Sequence, residues 1–484
     1  MAVSSGLVLG GALATAGVAT AATARTRTAV HVRPAARTRI VVYAGYQLTV
    51  PAGWPVYQLD QDPATCVQYD VHAVYLGAPG ADQQCAAYLI GRTETVAIAA
   101  AGGAAPVGRA APAGDAARVS GVARAAGVAR AGETLLAAES VALDAEDHEV
   151  RVTLARGGQV RATVVGTYGD DPAVIRQVLA TVRPAPAQAK WTPATVPATV
   201  PAAGRGGRAA PAGGRAGLAR QPALKVLAAP MPAVTAQLPA QPSSRPAEIA
   251  KPARARVAAG QPTRGFDSCA APPMAAMKAW RRGYSVVGIY IGGVNAACGS
   301  GNLSARWIVA AANMGWSMLP VYVGPQAPCF GYGTRISGGK AAQEGAAAAR
   351  DAALDARRYG LRARSPIYYD MEAFTGSSSC TIAVLQFLSA WTRELNAKGY
   401  VSGVYSSWDS GIADMQSALA QEQGFARPQA VWYALWDGRG SLSLSSLSWP
   451  EDKRAKQFQG PHNSTIGGYT LNIDSDIVDG PVAR

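Results

Sequence analysis

From Thr263 onward the chain alternates two textures. Short apolar runs rich in Val, Ile and Tyr, bounded by Gly, Pro or Asp, read as buried strands. Between them lie longer stretches with apolar positions three or four apart, which read as helices. The series runs TRGFDSC and helical PPMAAMKAWRRG, VVGIYIGG and LSARWIVAAANMG, MLPVYVG and GKAAQEGAAAARDAALDARRYG, then PIYYDME and TIAVLQFLSAWTRELNAKG. YVSGVYSS, a shorter helix near 410–422, AVWYALWDG, RAKQFQG and YTLNIDSD complete it. Eight strands, most separated by helices, within residues 262–484 predict an α/β fold, a (β/α)8 TIM-like barrel. A doubly wound open sheet would carry a glycine-rich phosphate loop after its first strand, and none follows here.

Residues 28–185 read as a small strand-rich α+β domain. YQLTVPAGWPVYQL, CVQYDVHAVYLG and CAAYLIGRTETVAIAA are apolar segments broken by Pro, Gly and Asp. HEVRVTLARGGQVRATVVGTYG reads as a hairpin around Gly157-Gly158. DPAVIRQVLATV opens on Asp-Pro and spaces Val174, Val178 and Leu179 as a helix does. The stretch 101–132 is Ala/Gly-rich and reads as a flexible insertion. Asp70 and His72 alternate along a strand with no nucleophile beside them, so a structural role is expected. From 186 to 261 the chain is Pro, Ala, Gly and Arg without hydrophobic periodicity. Such a segment buries too little apolar surface to offset chain entropy, and a disordered, semi-extended linker is expected.

Charge sharpens this division. The net charge of +14 is uneven: residues 186–261 carry 10 basic groups and one acidic group, Glu248, whereas the flanking regions are nearly balanced. A basic linker favours polyanions. The first 24 residues carry an apolar run, Leu7 to Ala19, and a small-x-small step, Ala22-Thr23-Ala24, before Arg25. They read as an export signal, although no basic residue or Arg pair precedes the run. Secretion to the wall or the medium is therefore expected, and the polyanions would be anionic wall polymers rather than nucleic acid. The run is thinned by Gly and Thr, so no transmembrane segment is expected.

Six cysteines at wide spacings in an exported chain read as disulfides. Bridges kept within domains give Cys66–Cys85, with Cys269–Cys298 and Cys329–Cys380 preferred among the remaining four. There is no CxxC and there are only four His residues, so no zinc site or other cofactor is expected.

In a barrel, residues at the carboxyl ends of strands converge on one mouth. Asp370 and Glu372 are two apart at the end of PIYYDME, on one face. Asp267 ends the first strand, Asp437 follows the sixth and Asp474 lies in the eighth. Two carboxylates in one pocket repel each other's ionisation, which yields an acid and a base at neutral pH. Tyr290, Tyr322, Tyr405, Trp436, Gln326 and Gln457, with Tyr369 and Trp408 nearby, supply the aromatic faces and amides that suit sugar rings and hydroxyls. For most of these aromatics taken singly, core packing is the expected role.

GFDSCAAP, VGIYIGG, MLPVYVGPQAPC, IYYDMEAF, GYVSGVYSS, WYALWDG, KQFQG and NIDSDIVDG carry a resemblance that spans the whole of 263–484. The segment resembles an actinobacterial exported, glycoside-hydrolase-like family, domain of unknown function 1906. That family is similar to the barrel lysozymes of glycoside hydrolase family 25. Those enzymes carry an Asp on the first strand, Asp-x-Glu on the fourth and an Asp on the sixth. The resemblance implies Glu372 as proton donor, with Asp370, Asp267 and Asp437 tuning it or assisting attack. GFDSC and NIDSDIVDG replace the muramidase pattern at the first and last strands, so substrate identity does not carry over.

Two functional classes follow: a secreted hydrolase of cell-wall glycan (peptidoglycan or a related polysaccharide), or a wall-binding protein that kept the pocket and lost the reaction. Binding of a divalent cation by the acids is a third. A monomer is expected in each case.

Overall fold

The computed structural model describes residues 37–101, 138–145, 147–156, 159–186, 262–421, 424–444 and 447–484. The expected leader, the 102–132 insertion, the Gly157-Gly158 turn and the linker beyond residue 186 lie outside them. The described residues from Thr38 onward form one compact unit.

The N-terminal region is strand-rich. Strands β1 (Thr38–Tyr43), β2 (Tyr46–Pro51), β3 (Val56–Gln58), β4 (Ala73–Leu76), β5 (Thr95–Ala100), β6 (Ala138–Asp144), β7 (Glu149–Arg156) and β8 (Gln159–Thr167) precede helix α1 (Ala173–Leu179) and the short β9 (Arg183–Pro184). They form a three-stranded sheet in the order β1-β2-β9 and a six-stranded sheet in the order β3-β4-β5-β8-β7-β6. The β7–β8 pair is the antiparallel hairpin that its alternation implies. At α1 the carboxylate of Asp171 accepts from Ala173 N at 2.8 Å, which satisfies a first-turn donor. The buried face is Ile175, Val178 and Leu179, and Val174 points outward. Much of the apolar sequence here is not strand. In CAAYLIGRTETVAIAA only Thr95–Ala100 joins a sheet, and Cys85–Arg92 runs instead across the second region.

That second region is a closed eight-strand barrel. Its strands are β10 (Thr263–Asp267), β11 (Val286–Gly292), β12 (Ser317–Tyr322), β13 (Pro366–Asp370), β14 (Val401–Ser407), β15 (Ala430–Ala434), β16 (Arg454–Ile466) and β17 (Tyr469–Val478), neighbouring in chain order. Helices α2 (Met274–Trp280), α3 (Ala305–Asn313), α4 (Ala341–Arg358), α5 (Ser378–Ala397) and α6 (Ala413–Ala420) lie in the first five crossovers. The alternation then departs from a regular (β/α)8 pattern. A single 3-10 turn, Glu451–Lys453, precedes β16, and β17 runs antiparallel to both β16 and β10. The cause is Gly467-Gly468, whose φ values of 61° and 84° make a tight reversal of the kind that hairpins require. A parallel return would need a crossover of a dozen residues or more.

Strand parity sorts the side chains. Leu319, Val321, Tyr368, Tyr405, Trp432, Ala455 and Val478 pack together inside the barrel. Their neighbours in sequence, Met318, Tyr322, Tyr369, Val404, Tyr433 and Ile477, face the helices. The interior floor is aromatic: the Trp432 ring meets Tyr368 and Tyr405 edge-on, at centroid distances of 6.0 and 5.1 Å.

The three disulfides are Cys66–Cys85, Cys269–Cys298 and Cys329–Cys380. The second ties the loop after β11 to the end of β10. The N-terminal region docks on that loop. Tyr69 N donates to Ala297 O at 2.8 Å, Gly91 N to Asn295 O at 2.9 Å and Gly299 N to Val67 O at 3.1 Å. Arg92, buried and paired with Glu149 at 3.0 Å, donates to Ala296 O at 3.0 Å. Among the described residues no helix is long and apolar enough to cross a membrane.

Helices α4 and α5 approach closely at Gly345, where a Cβ would lie 2.2 Å from the carbonyl oxygen of Phe387. Backbone cannot yield as a side chain tip can. Gly345→Ala is therefore expected to destabilise by about 1–3 kcal/mol despite the better helix propensity of Ala, read as a lower denaturation midpoint.

Candidate functional site

Five carboxyl groups meet at the carboxyl-end mouth of the barrel. Asp267 closes β10 and Asp370 closes β13, with Glu372 two residues beyond it. Asp474 and Asp476 both come from β17, where Asp474 lies opposite Asp267 in the antiparallel register. All five are buried. Parity puts them there, because Phe266, Tyr369, Met371, Ile473 and Ile477, their neighbours in sequence, face the helices.

Asp267 is the centre of the cluster. Tyr290 Oη donates to its Oδ1 at 3.1 Å and Gln457 Nε2 to its Oδ2 at 3.1 Å, and it hydrogen-bonds Asp476. Burial raises its pKa to about 6, and these bonds restrain the rise. Space for it comes from Gly288 on β11, where a Cβ would stand 2.4 Å from that of Asp267. Asp474 is pushed up to about 9 by burial and by the charges of Asp267 and Glu372. Burial and Asp267 also raise Asp476, whose Oδ1 accepts from Trp432 Nε1 at 3.1 Å. Asp370 is raised by burial, by the neighbouring Glu372 charge and by the hydrogen bond between them. Burial raises Glu372 as well, and hydrogen bonds from Asp370, Tyr88 and the Ala373 backbone oppose it. No donor among the described residues reaches Asp370 Oδ1, Asp474 Oδ1 or Asp476 Oδ2. At neutral pH the cluster thus holds Asp267 as its anion beside Asp474, which keeps its proton.

Gln457 organises the ring. Its Nε2 donates to Asp267 and, at 3.3 Å, to Asp474 Oδ2, while its Oε1 accepts from Tyr405 Oη at 3.0 Å and Trp436 Nε1 at 2.9 Å. The Trp436 indole is 60% exposed at the rim. Gln326 faces the backbone. Its Nε2 donates to Asp370 O at 2.8 Å and its Oε1 accepts from Glu372 N at 2.8 Å, so it braces the acid pair. A trough of about 400 Å³ lies beside the mouth, lined by residues that include Gln83, Gln84, Ser268, Thr470 and Asn472.

Four expected members are elsewhere. Tyr322 points outward by strand parity, and its hydroxyl donates to Asp351 Oδ2 on α4 at 2.8 Å. Tyr369 does the same and donates to Pro325 O at 2.6 Å, while Trp408 packs on outward-facing Tyr433. Asp437 does not join the acids. Its carboxylate accepts from Lys456 Nζ at 2.7 Å and from Arg439 N at 2.9 Å. Burial would raise its pKa, but these donors bring it below the usual carboxylate value. Lys456 lies between inward Ala455 and Gln457, so it draws Asp437 to the outside of the barrel.

Sequence reasoning passed over Asp476, Gly288, Lys456 and Tyr88. Asp476 was detectable, since it shares the period-two face of Asp474.

Residues 277–478 match the family described as the Rv2525c-like, glycoside hydrolase-like domain. Comparison with curated proteins returns no match. Similar solved structures include an uncharacterised B. stearothermophilus protein, 20% identical, covering 45% of this chain and 96% of that one with a TM-score of 0.34. The Tat-secreted protein Rv2525c of Mycobacterium tuberculosis, in complex with L-tartrate, is 15% identical and covers 44% of this chain and 93% of that one with a TM-score of 0.32. GHIP, a glycosyl hydrolase 25 of Streptococcus pneumoniae, is 14% identical and covers 42% and 79% with a TM-score of 0.27.

The raised acids carry a thermodynamic consequence. Each keeps its proton when folded at a pH where the unfolded chain has lost it, so the folded state binds more protons and stability falls as pH rises. The fall begins near the unfolded carboxylate value of about 4 and ends near 6 for Asp267 and near 9 for Asp474. Thermal melts are expected to show a midpoint several degrees lower at pH 9 than at about pH 5. Asp474→Asn should flatten the upper part of that fall.

Proposed function

We propose that this protein is a secreted glycoside hydrolase acting on cell-wall glycan, with the barrel a TIM-like variant whose last strand is reversed. The observation that carries the reading is the meeting of five buried carboxyl groups in one closed mouth. Burial raises Asp267 to about 6 against three hydrogen-bond partners that lower it, and burial raises Asp370 and Glu372, which share a hydrogen bond. That is the acid and anion pairing that glycoside cleavage needs. Glu372 gives its proton to the leaving glycosidic oxygen as the bond to the anomeric carbon breaks. The Asp267 carboxylate offsets the positive charge that develops on the sugar. Asp370 passes its proton to Glu372 across their hydrogen bond, and the water that adds to the anomeric carbon gives its proton to the Asp370 carboxylate, which restores the cluster. Trp436 offers a stacking face, and Tyr290, Tyr405 and Gln457 hold the acids in register. Asp437, neutralised by Lys456, supports the rim.

Three disulfides fit an oxidising compartment, in keeping with the leader-like first 24 residues. The basic 186–261 segment suits anionic wall polymer. No nucleic acid or metal enters the scheme.

The test is sugar release from purified wall fractions by wild type and variants across pH. Glu372→Gln keeps shape and loses the proton donor, so turnover should fall by at least about 10²-fold with oligosaccharide binding nearly unchanged. Asp437→Asn should stay within about tenfold of wild type. If wild type and Glu372→Gln bind wall oligosaccharide alike and neither cleaves at any pH, the protein is a glycan-binding module. If neither binds, both readings fall.

A further inference from the structure

Between β4 and β5 the chain from Gly77 to Glu94 has no regular helix or strand, yet it is fixed along its length. The Cys66–Cys85 bridge holds its middle to the N-terminal region. Barrel residues then seize it at successive points. Asn302 Nδ2 donates to Ala81 O at 3.0 Å, Ala87 N donates to Asn472 Oδ1 at 2.7 Å, and Ile90 bridges to Ala296. Asn472 stands on β17 two residues before Asp474, so the segment crosses the rim of the acid cluster. At that crossing Tyr88, next to the Ala87 anchor, hydrogen-bonds the carboxyl of Glu372. Tyr88 is 38% exposed and belongs to none of the hydrophobic clusters among the described residues.

We propose that Tyr88 is a positioning residue for Glu372, a hydroxyl that the N-terminal region extends over the barrel mouth to orient the acid and stabilise its ionised form. The inference rests on the reading of Glu372 as the acid of the site. It gives the strand-rich region a part in the reaction: the barrel alone lacks one of the donors to its own acid. The groups that face Glu372 are Asp370 from β13, Asp267 from β10, Asp474 from β17 and Tyr405 from β14. The three carboxyl groups oppose its ionisation by their charge when ionised. Tyr88, the proton of Asp370 and the Ala373 backbone are what favour it. A hydroxyl donated to the carboxylate lowers the pKa of Glu372, so its removal raises it.

The experiment uses the full chain with 13C-labelled Glu carboxyls, the Glu372 resonance being assigned by its loss in Glu372→Gln. In Tyr88→Phe that resonance should titrate about one pKa unit higher than in wild type. The high-pH limb of wall-glycan hydrolysis should move up by the same amount, because the acid keeps its proton longer. A packing role would lower activity equally at all pH values and leave the titration where it was. An unchanged Glu372 titration in Tyr88→Phe overturns the proposal. A shifted titration in a protein that cleaves no glycan keeps Tyr88 as the positioning residue and removes the hydrolase reading instead.

Discussion

Five carboxyl groups buried at one end of an apolar barrel cannot all be ionised, and much of the structure answers that constraint. An isolated buried carboxylate costs several kcal/mol, so each must keep a proton or gather donors. Asp267 gathers donors: Tyr290, Gln457 and Asp476. All five are raised by burial, Asp267 only to about 6 and Asp474 to about 9. The aromatic floor of Tyr368, Tyr405 and Trp432 sharpens the effect by replacing water with apolar surface beneath the acids, and Trp432 also donates to Asp476.

The reversed last strand is what makes five acids rather than three. An antiparallel β17 brings Asp474 level with Asp267 and puts Asp476 one pleat further in, both facing the interior. The same hairpin gives the barrel closure without a final helix, and its far end carries Asn472, which anchors the N-terminal segment at Ala87. Closure of the barrel, enrichment of the mouth in acids and docking of the N-terminal region therefore share one element. The disulfides support this geometry from the loops. Cys269–Cys298 fixes the edge on which Val67, Tyr69 and Gly91 dock, and Cys66–Cys85 fixes the segment that delivers Tyr88.

Electrostatics separates Asp437 from the acids as firmly as it unites the rest. A carboxylate beside an outward lysine is stabilised as an anion, whereas one turned into the cluster would face more negative charge. Lys456 offers the first option at 2.7 Å. Gln326 shows a related division: an amide that suits a sugar hydroxyl spends its hydrogen bonds on the backbone of Asp370 and Glu372, and fixes the acids instead.

The sequence by itself determined the strands of the barrel, the faces of Asp370 and Glu372, the place of Asp267, and the Cys66–Cys85 pair, while the other two bridges were a preference among the remaining four cysteines. Those features are local: period two sets a face, strand ends set a mouth, and cysteine pairs respect regional boundaries. Tertiary structure decided the rest. Whether Tyr322 faced the mouth or α4 depended on which parity of β12 points inward, and neither face of SMLPVY is polar enough to say. The direction of β17 depended on a two-glycine turn amid polar residues that resemble a loop. The pairing of Asp437 with Lys456 needed the register of β15 and β16. The contact of Tyr88 with Glu372 joins residues 284 positions apart across two regions, and no periodicity carries information over that distance.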